Sequence, residues 1–195
     1  SAHGARPWEG VNAIEQAARV VEALKEIPLE ERADLMADNG GRVRGSVFPI
    51  GVRASASGLS IPEGCVLYLD RHYCPGYTQE WVYEGMVRFL SSCNVEFRVR
   101  LAERPTPYLK PYETPLTAPV VRAIMEAARR VGYNPKPVCG LSVADDCVLA
   151  SAGVDVVSYG PGGGNVHAPN EYVLLKEVVE APGVYAEVAR LVTRI

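Results

Sequence analysis

A proline-rich stretch in the middle of the chain constrains its fold more than any other feature. Residues 103–118, ERPTPYLKPYETPLTA, contain four prolines and little hydrophobic periodicity. Such a segment continues neither a helix nor a central strand. We therefore predict a linker there, with one folding unit over residues 1–104 and a second over residues 105–195 of the 195-residue chain.

The first unit opens with a helical pattern. Residues 11–25 carry one apolar stripe at helical spacing, and Asn12 and Glu15 are spaced like the two members of a capping pair. Residues 26–46 are polar and irregular and end in NGGRVRG. They predict a loop or a short helical piece.

Strand periodicity follows the loop. The runs FPIGVRAS and CVLYLD alternate like the two strands of a hairpin, and Thr78 is placed to cap a second helix. NVEFRVRL, residues 94–101, alternates again and predicts a half-buried strand of an antiparallel sheet. The order helix, strand, strand, helix, strand is that of a ferredoxin-like split β-α-β unit without its first strand.

The second unit has an α/β pattern, which predicts a parallel sheet. The predicted elements are, in order, a helix over residues 121–131, a short strand over 136–139, a short helix over 145–152, the apolar strand VDVVSY over 154–159, and a helix from Tyr172 that is interrupted at Pro182-Gly183 and then resumes.

A glycine-rich run follows the predicted strand VDVVSY. In α/β proteins ligands bind at the carboxyl ends of strands, where exposed backbone amides can approach an anion. His167 in GPGGGNVHAPNE then offers a nitrogen ligand or a base. From spacing alone, however, a lone loop histidine is more often an ordinary surface or core residue.

Composition excludes several classes of function. The net charge is -3, and the arginines are scattered, so no basic field exists for nucleic acid. The sequence has no apolar run long enough for a membrane span and no signal peptide at its start, so we expect a cytoplasmic protein with no membrane partner. The five cysteines lack Cys-x-x-Cys spacing and predict free thiols.

Motifs near the carboxyl end resemble one known family. YGPG at residues 159–162, a short insertion and then HAPNEYV at 167–173 closely resemble the end of the co-catalytic zinc hydrolases, the family of aminoacylase, acetylornithine deacetylase, succinyl-diaminopimelate desuccinylase and glutamate carboxypeptidase. GLSVAD at 140–145 and AGVD at 152–155 are similar to that family's Gly-Ser/Thr-Asp helix start and Gly-Ile-Pro turn. Asp155 stands where the family usually has proline.

The first unit carries a matching set of motifs. The opening SAHGARPWEGVNAI resembles the family's dimerisation-domain signature, and LSIP at 59–62 with YLDRH at 68–72 resembles its Asn-Val-Ile-Pro hairpin and Asp-x-Arg strand end. Leu59 stands where many members have asparagine, and His72 where many have arginine. The resemblance covers essentially the whole chain.

The resemblance implies a fold and an activity. The fold is α+β and α/β: a ferredoxin-like lid, the dimerisation domain, followed by a partial α/β zinc-hydrolase catalytic domain. The intact family enzyme holds two zinc ions and cleaves an amide bond of an N-acyl amino acid or small peptide. We therefore expect a small-molecule substrate and a homodimer formed through the lid.

The resemblance also implies site residues. His167 would be a terminal zinc ligand, oriented by Glu171 or a backbone carbonyl. His3 would be catalytic, reaching the partner subunit's site to donate a hydrogen bond to the tetrahedral oxyanion. The predicted substrate-binding residues are Arg71, His72, Gly160, Gly162 and Gly163. For Arg71 and His72 a surface salt bridge is the open alternative.

The family's other metal-binding motifs do not occur in this sequence. They are a His-x-Asp pair, a bridging Asp and a Glu-Glu pair that holds the general base, and all of them belong to a segment upstream of the lid. One histidine supplies too few ligands for a hydrolytic zinc site. We expect the chain alone to be inactive. The alternative is a non-catalytic dimerisation or binding module that retains this fold.

Overall fold

The computed structural model describes residues 2–193, which form two compact units. The first unit takes in the chain through Asp34 together with Arg42–Pro107, and the second takes in Leu35–Gly41 together with the chain from Tyr108 onward. Both units combine helices with short strands, so the fold is of the mixed α/β type. The assignment of residues 1–104 and 105–195 to a lid and a catalytic part stays a prediction.

The helices and strands of the first unit follow one another in an order close to the predicted one. A short 3-10 helix at Pro7–Glu9 precedes the elements α1 (Ala13–Ala23), a 3-10 turn at Leu24–Glu26, β1 (Glu31–Met36, whose last two residues belong to the second unit), β2 (Arg42–Arg44), β3 (Ser46–Ala54), β4 (Cys65–His72) and α2 (Gln79–Ser92).

Side-chain caps start both long helices of the first unit. The Asn12 side chain accepts a hydrogen bond from the Ile14 amide at 3.0 Å and donates to Glu15 at 3.3 Å. The Thr78 hydroxyl accepts a hydrogen bond from the Trp81 amide at 3.2 Å. Each cap satisfies an amide that has no partner within its helix, so the two predicted helix starts are confirmed.

The hairpin of β3 and β4 packs one face against the two helices. The strands pair antiparallel, as predicted, with Val47 opposite Arg71 and Phe48 opposite Asp70. The buried core is formed by Val20, Leu24, Ile27, Met86 and Leu90, and the partly buried hairpin residues Val47, Leu67 and Leu69 pack against it. The opposite face of the hairpin is exposed, with Phe48 and Ile50 at 45% and 63% of their full accessibility.

The prediction of a loop or a short helical piece over residues 26–46 is wrong for Glu31–Met36 and Arg42–Arg44. β1 and β2 form a two-stranded sheet there. The strand signal was hidden because the side chains are charged. Across the sheet, Arg42 bonds Glu31 at 2.7 Å, and the turn uses Gly40 at φ 82°.

The predicted strand over residues 94–101 is also wrong, because the segment has no regular secondary structure. Val95 and Val99 pack on the core, whereas Phe97 and Leu101 are exposed. The residues that pack are therefore four apart, not two. Within the described part of the chain, β3 and β4 pair only with each other, so this segment adds no third strand.

The second unit is built around two packed helices. Its elements are α3 (Pro119–Arg130), α4 (Asp146–Ser151), β5 (Gly163–Gly164), β6 (Tyr172–Val173) and α5 (Leu175–Thr193). Ala127 and Ala128 of α3 meet Val184 of α5, and all three are fully buried. The helices predicted over residues 121–131 and 145–152 are confirmed.

The predicted parallel sheet of this unit is not present among residues 2–193. Residues 154–159 belong to no strand. The strand predicted over residues 136–139 is also absent, and this segment forms only a single parallel bridge, between Ala37 and Cys139. The backbone of Val156 instead exchanges hydrogen bonds with the Thr114 hydroxyl, at 2.6 and 3.3 Å. An apolar run becomes a buried strand only where a neighbouring strand supplies backbone partners.

The last helix differs from its prediction in two places. Tyr172 lies in β6, not in a helix, and α5 runs without a break through Pro182. A proline inside a helix removes one backbone hydrogen bond. Ala181 and Val184, which flank it, are buried, so packing of this turn offsets the lost bond.

Candidate functional site

The glycine run after residue 159 folds into a small hairpin. Gly163 pairs with Val173 and Gly164 with Tyr172. A Cβ atom on Gly163 would lie 2.1 Å from the Tyr172 carbonyl oxygen, so only glycine fits at this position. The close approach of the two strands therefore depends on the glycine sequence, as the motif indicates.

The backbone of Gly162 is occupied by groups at the start of α5. Its amide donates a hydrogen bond to the Glu177 carboxylate at 2.6 Å, and its carbonyl accepts one from the Leu174 amide at 2.8 Å. Sequence analysis missed Glu177, although an acidic residue in the first turn of a helix is a recognisable signal. Gly160 borders open space, since a Cβ atom placed on it would meet nothing within 4 Å among the described residues.

His167 lies in the turn between β5 and β6. It is exposed, and its backbone has a left-handed φ of 58°. Asn165 and Asn170 in the same turn are also left-handed, at 56° and 63°, and the Ala168 amide closes the turn on the Asn165 carbonyl at 2.8 Å. Non-glycine residues adopt this conformation at an energetic cost, which asparagine tolerates better than histidine does.

The side chain of His167 is unpartnered in the described part of the chain. Among residues 2–193 neither its imidazole nor the Glu171 carboxylate makes a hydrogen bond or ion pair. The predicted orienting contact from Glu171 is therefore not formed in this structure, and both roles stay predictions.

A metal centre is not complete within the described residues. Between residues 2 and 193 no three His, Cys, Asp or Glu side chains are grouped so that they could hold a metal ion. His167 on its own fits one ligand position, since a neutral imidazole is a good zinc ligand. The described residues do not fit a whole zinc site.

His3 is held in the first unit by backbone pairing. It forms an antiparallel bridge with Ser60, flanked by a hydrogen bond from the Ile61 amide to the Ala2 carbonyl at 2.9 Å. Its Nδ1 accepts a hydrogen bond from the Ala5 amide at 3.0 Å. The exposed imidazole therefore carries its proton on Nε2, which leaves that nitrogen as a donor.

Arg71 is committed to a partner inside the first unit. Its guanidinium bonds the carboxylate of Glu30, and the two side chains are only 14% and 1% exposed. The salt bridge that sequence analysis left open is thus present, and it is buried instead of lying on the surface. The predicted role of Arg71 in substrate binding stays untested.

His72 is the more accessible member of the Arg71-His72 pair. Its side chain is 33% exposed, with Nε2 3.5 Å from the Asp70 carboxylate. The imidazole stacks on Phe48 with ring centroids 6.3 Å apart. The predicted role of His72 in substrate binding stays a prediction.

A polar network that the sequence did not reveal lies at the start of α4. The Asp146 carboxylate accepts hydrogen bonds from the hydroxyls of Tyr112 at 2.9 Å and Ser158 at 2.7 Å, and from the Cys147 amide at 2.8 Å. Burial acts to raise the pKa of Asp146, but these hydrogen bonds outweigh it and the pKa is lowered. The neighbouring Asp145 makes no capping hydrogen bond with its side chain.

Comparison with known proteins decides the family. The model of peptidase family M20/M25/M40 matches residues 7–191. The chain belongs to this family. The resemblance drawn from the motifs is confirmed at that level. No helix within residues 2–193 is long and apolar enough to cross a membrane.

Curated proteins are similar to the chain over different lengths. Succinyl-diaminopimelate desuccinylase of Sulfurovum is 24% identical over 196 residues, which cover 98% of this chain and 50% of that protein. A protein of Pyrococcus furiosus named as a LysW-lysine/LysW-ornithine hydrolase is 40% identical over 76 residues, 38% of this chain and 23% of that protein. The chain spans at most about half the length of these relatives.

Two solved peptidase structures, one of them named as an M20 family member, have a similar fold. The metallo-carboxypeptidase Sso-CP2 from Sulfolobus solfataricus superimposes with a TM-score of 0.67 at 15% identity, over 99% of this chain and 55% of that one. The aminopeptidase PepT from Bacillus cereus gives 0.59 at 18% identity, over 98% and 48%. At such identities the likeness concerns the fold alone.

Proposed function

We propose that the chain is part of a zinc-dependent amidohydrolase or metallopeptidase that cleaves an amide bond of an N-acyl amino acid or a small peptide. The observation that carries the proposal is the turn of His167. In a chain that matches the M20 family, this turn holds an exposed imidazole, unpartnered among residues 2–193, in a left-handed conformation. Unusual backbone conformations persist where a function requires them.

In this proposal the second unit supplies one metal ligand. His167 binds the metal through its imidazole, and the hairpin of β5 and β6 fixes the turn that presents it. The remaining ligands and the general base come from family segments that this chain does not match. The bound metal would supply Lewis-acid activation of the amide and of water.

The names of two relatives support the proposed substrate class. The Sulfurovum relative is named for removing a succinyl group from an amino acid, and the Pyrococcus relative for hydrolysing a LysW-linked amino acid. Both names describe an acyl-amino acid linkage. In this proposal His72 receives the carboxylate of such a substrate, and the Nε2 proton of His3 stabilises a developing oxyanion.

We further propose a homodimer formed through the first unit, which acts as the lid. Two large apolar side chains support the dimer, because Trp8 and Leu59 are each 77% exposed. Trp8 lies in the segment that contains His3, and Leu59 precedes Ser60, the residue that pairs with His3. Apolar side chains mark an interface where they form a large contiguous patch, which this proposal expects of these two. A light-scattering mass of one chain across micromolar concentrations would count against the dimer.

The second unit has apolar surface of its own. Leu175 and Val179, one turn apart on α5, are 75% and 73% exposed. This surface supports the idea that α5 packs against further family segments of the catalytic domain. The same apolar surface favours a reconstitution experiment, because burial of apolar surface would drive this chain to associate with a fragment that carries the other family segments.

Reconstitution tests the proposed function. The chain is assayed with Zn²⁺ on N-succinyl and N-acetyl amino acids, alone and co-expressed with the amino-terminal half of the Sulfurovum relative. We expect no turnover above a His167→Ala control for the chain alone, turnover for the pair, and loss of most of it in the pair with His167→Ala. Turnover by the pair that His167→Ala leaves intact, or no turnover by a stable pair, favours a non-catalytic binding module.

A further inference from the structure

The two strands of the glycine hairpin continue by one residue pair toward α5. Gly163 pairs with Val173, so Gly162 and Leu174 form the next pair of the ladder. The Leu174 amide donates a hydrogen bond to the Gly162 carbonyl at 2.8 Å. A hydrogen-bonded pair of an antiparallel ladder exchanges two such bonds, so the expected partner of the Gly162 amide is the Leu174 carbonyl.

The Leu174 carbonyl is used by the helix instead. It accepts hydrogen bonds from the amides of Glu177, at 2.9 Å, and Val178, at 3.1 Å, in the first turn of α5. Within residues 2–193 the Gly162 amide therefore has no backbone partner. The carboxylate of Glu177 takes that place and accepts the hydrogen bond of the amide at 2.6 Å. Because the acceptor is charged, the bond is short and strong.

Glu177 occupies the position that the acidic residue of a capping box occupies. Leu174 directly precedes α5, so Glu177 is the third residue of the helix. A glutamate at this position commonly reaches back to the amide of the residue before the helix. Here that amide, of Leu174, already bonds the Gly162 carbonyl, and the carboxylate reaches one strand further. Glu177 thus fastens the hairpin to the first turn of α5.

The glycine at position 162 leaves room for this contact. A Cβ atom there would lie 3.1 Å from Oε2 of Glu177 and 3.8 Å from Cδ1 of Leu174. The first distance is tighter than an ordinary van der Waals contact, so a larger residue would press on the carboxylate. Gly162 directly precedes β5, the strand that leads into the turn of His167. The contact therefore lies at the base of the hairpin that presents the imidazole.

We infer that Glu177 is a positioning residue for His167: by holding the Gly162 amide, it fixes the direction in which the hairpin leaves α5 and hence the place of the turn that carries the imidazole. The inference rests on the proposed function for the role of His167. The helix that provides the anchor is itself fixed, because Val184 of α5 is fully buried against α3. In this inference the Gly162 amide serves the hairpin and not the substrate.

The first measurement uses NMR spectroscopy of the backbone amides of the chain, with no metal present. Glu177→Ala should move the Gly162 amide proton signal upfield and make its hydrogen exchange about tenfold faster. The Ala168 amide, which closes the turn on the Asn165 carbonyl, should also exchange faster. Glu177→Gln, whose side-chain oxygen still accepts a hydrogen bond, should keep most of the protection. An unchanged Gly162 amide in Glu177→Ala would overturn the inference.

Two further variants separate the contact from a general effect on α5. Glu177→Asp keeps the negative charge at the helix start but withdraws the carboxylate from Gly162, so it should resemble Glu177→Ala. Glu180→Ala is the matched control, because Glu180 lies on the same helix and its carboxylate bonds the Tyr133 hydroxyl. It should leave the Gly162 and Ala168 amides as in the wild type. Equal losses in Glu177→Ala and Glu180→Ala would overturn the inference.

In the reconstituted enzyme, kcat and KM distinguish positioning from substrate binding. Glu177→Ala should lower kcat about tenfold and leave KM unchanged, because it displaces the imidazole without removing a contact to the substrate. Glu177→Gln should restore most of the kcat, and Glu180→Ala should keep the wild-type value. A wild-type kcat in folded Glu177→Ala, or a raised KM with an unchanged kcat, would overturn the inference.

The two measurements distinguish failure of the inference from failure of the proposed function. A stable wild-type pair without turnover contradicts the proposed function, and the exchange of the Gly162 and Ala168 amides then decides whether Glu177 fixes the turn. Turnover that His167→Ala abolishes and Glu177→Ala leaves intact supports the proposed function and overturns the inference. If Glu177→Ala does not fold, Glu177→Asp takes its place in both measurements, with the same expected results.

Discussion

The hydroxyl of Tyr112 donates a hydrogen bond of 2.9 Å to the carboxylate of Asp146, 34 residues further along the chain. The same carboxylate accepts the hydroxyl of Ser158 at 2.7 Å. The two contacts connect the proline-rich stretch, which contains Tyr112, with the start of α4 and with the segment that leads to the glycine hairpin. This network therefore fixes the approach to the candidate site.

Because of this network, the free energy of unfolding should fall at acid pH. Burial opposes ionisation of Asp146, but the hydrogen bonds from Ser158, Tyr112 and Cys147 prevail, so its folded pKa lies below the ordinary 3.8. The stabilisation is present above about pH 4 and is lost as the pH falls through the folded pKa. Ser158→Ala should lower the free energy of unfolding by about 1 kcal/mol at pH 7.

Urea denaturation at pH 7 and at a series of lower pH values measures that difference. The penalty of Ser158→Ala should shrink as the pH falls through the folded pKa of Asp146, because a protonated Asp146 no longer offers a full charge to the hydroxyl. A penalty that stays constant across the acid series would show that the hydroxyl contributes in some other way. Ser151→Ala is the matched control, since its hydroxyl bonds the Cys147 carbonyl at 2.7 Å and no ionisable group.

Because of Tyr112, the free energy of unfolding should fall at alkaline pH. Burial, together with its hydrogen bond to Asp146, raises the pKa of Tyr112 to about 12. Because the folded pKa exceeds the ordinary value of 10, this contribution is intact below about pH 10 and is lost as the pH rises toward 12. Absorbance titration should show a late tyrosine ionisation to which Tyr133 also contributes, because its hydrogen bond to Glu180 raises the pKa of Tyr133 to about 12. Tyr112→Phe should therefore lower the amplitude of the late ionisation by one tyrosine, and an unchanged amplitude would contradict the shift of Tyr112.

The glycine hairpin should be sensitive to substitution at one glycine and tolerant at another. Gly163→Ala places Cβ 2.1 Å from the Tyr172 carbonyl oxygen, so β5 and β6 must separate, whereas Gly160→Ala meets nothing within 4 Å. We expect a loss of about 1–3 kcal/mol for Gly163→Ala, in the range of overpacking, and little change for Gly160→Ala. Thermal unfolding and the cross-strand NMR contacts between Gly163 and Val173 provide the measurement; equal effects of the two variants would contradict the packing described.

The ion pair of Glu30 should contribute more than an exposed pair does. Glu30→Ala leaves the Arg71 guanidinium buried and unpaired, which costs about 3–5 kcal/mol. Glu31→Ala breaks an exposed pair and should cost about 0–1 kcal/mol. Chemical denaturation compares the two, and similar losses would mean that Glu30 is not the anchor of Arg71.

Local signals in the sequence predicted the helices well. The caps at Asn12 and Thr78 act within three residues of each helix start, so their pattern is visible in a short window. The hairpin of β3 and β4 was visible for the same reason, because its alternation lies in two short runs. Apolar stripes also identified α3 without knowledge of what it packs against.

Features that need distant partners were not visible. Residues 94–101 and 154–159 have strand patterns but no regular secondary structure, since a pattern gives the preference of a segment and not its partner. Glu30 pairs with Arg71 across 41 residues, and nothing near Glu30 in the sequence indicates it. For the same reason, the sequence indicated His167 as a candidate but not the Glu177 contact that holds the adjacent glycine loop.

The most direct test of the central claim is the zinc content of the reconstituted enzyme with and without His167. We expect the pair with His167→Ala to bind less zinc per chain, measured by elemental mass spectrometry after dialysis, and to lose most of its turnover. His72→Ala should keep the zinc content of the wild type and raise the KM instead. Wild-type zinc content in a folded His167→Ala enzyme would contradict the assignment of His167 as a metal ligand.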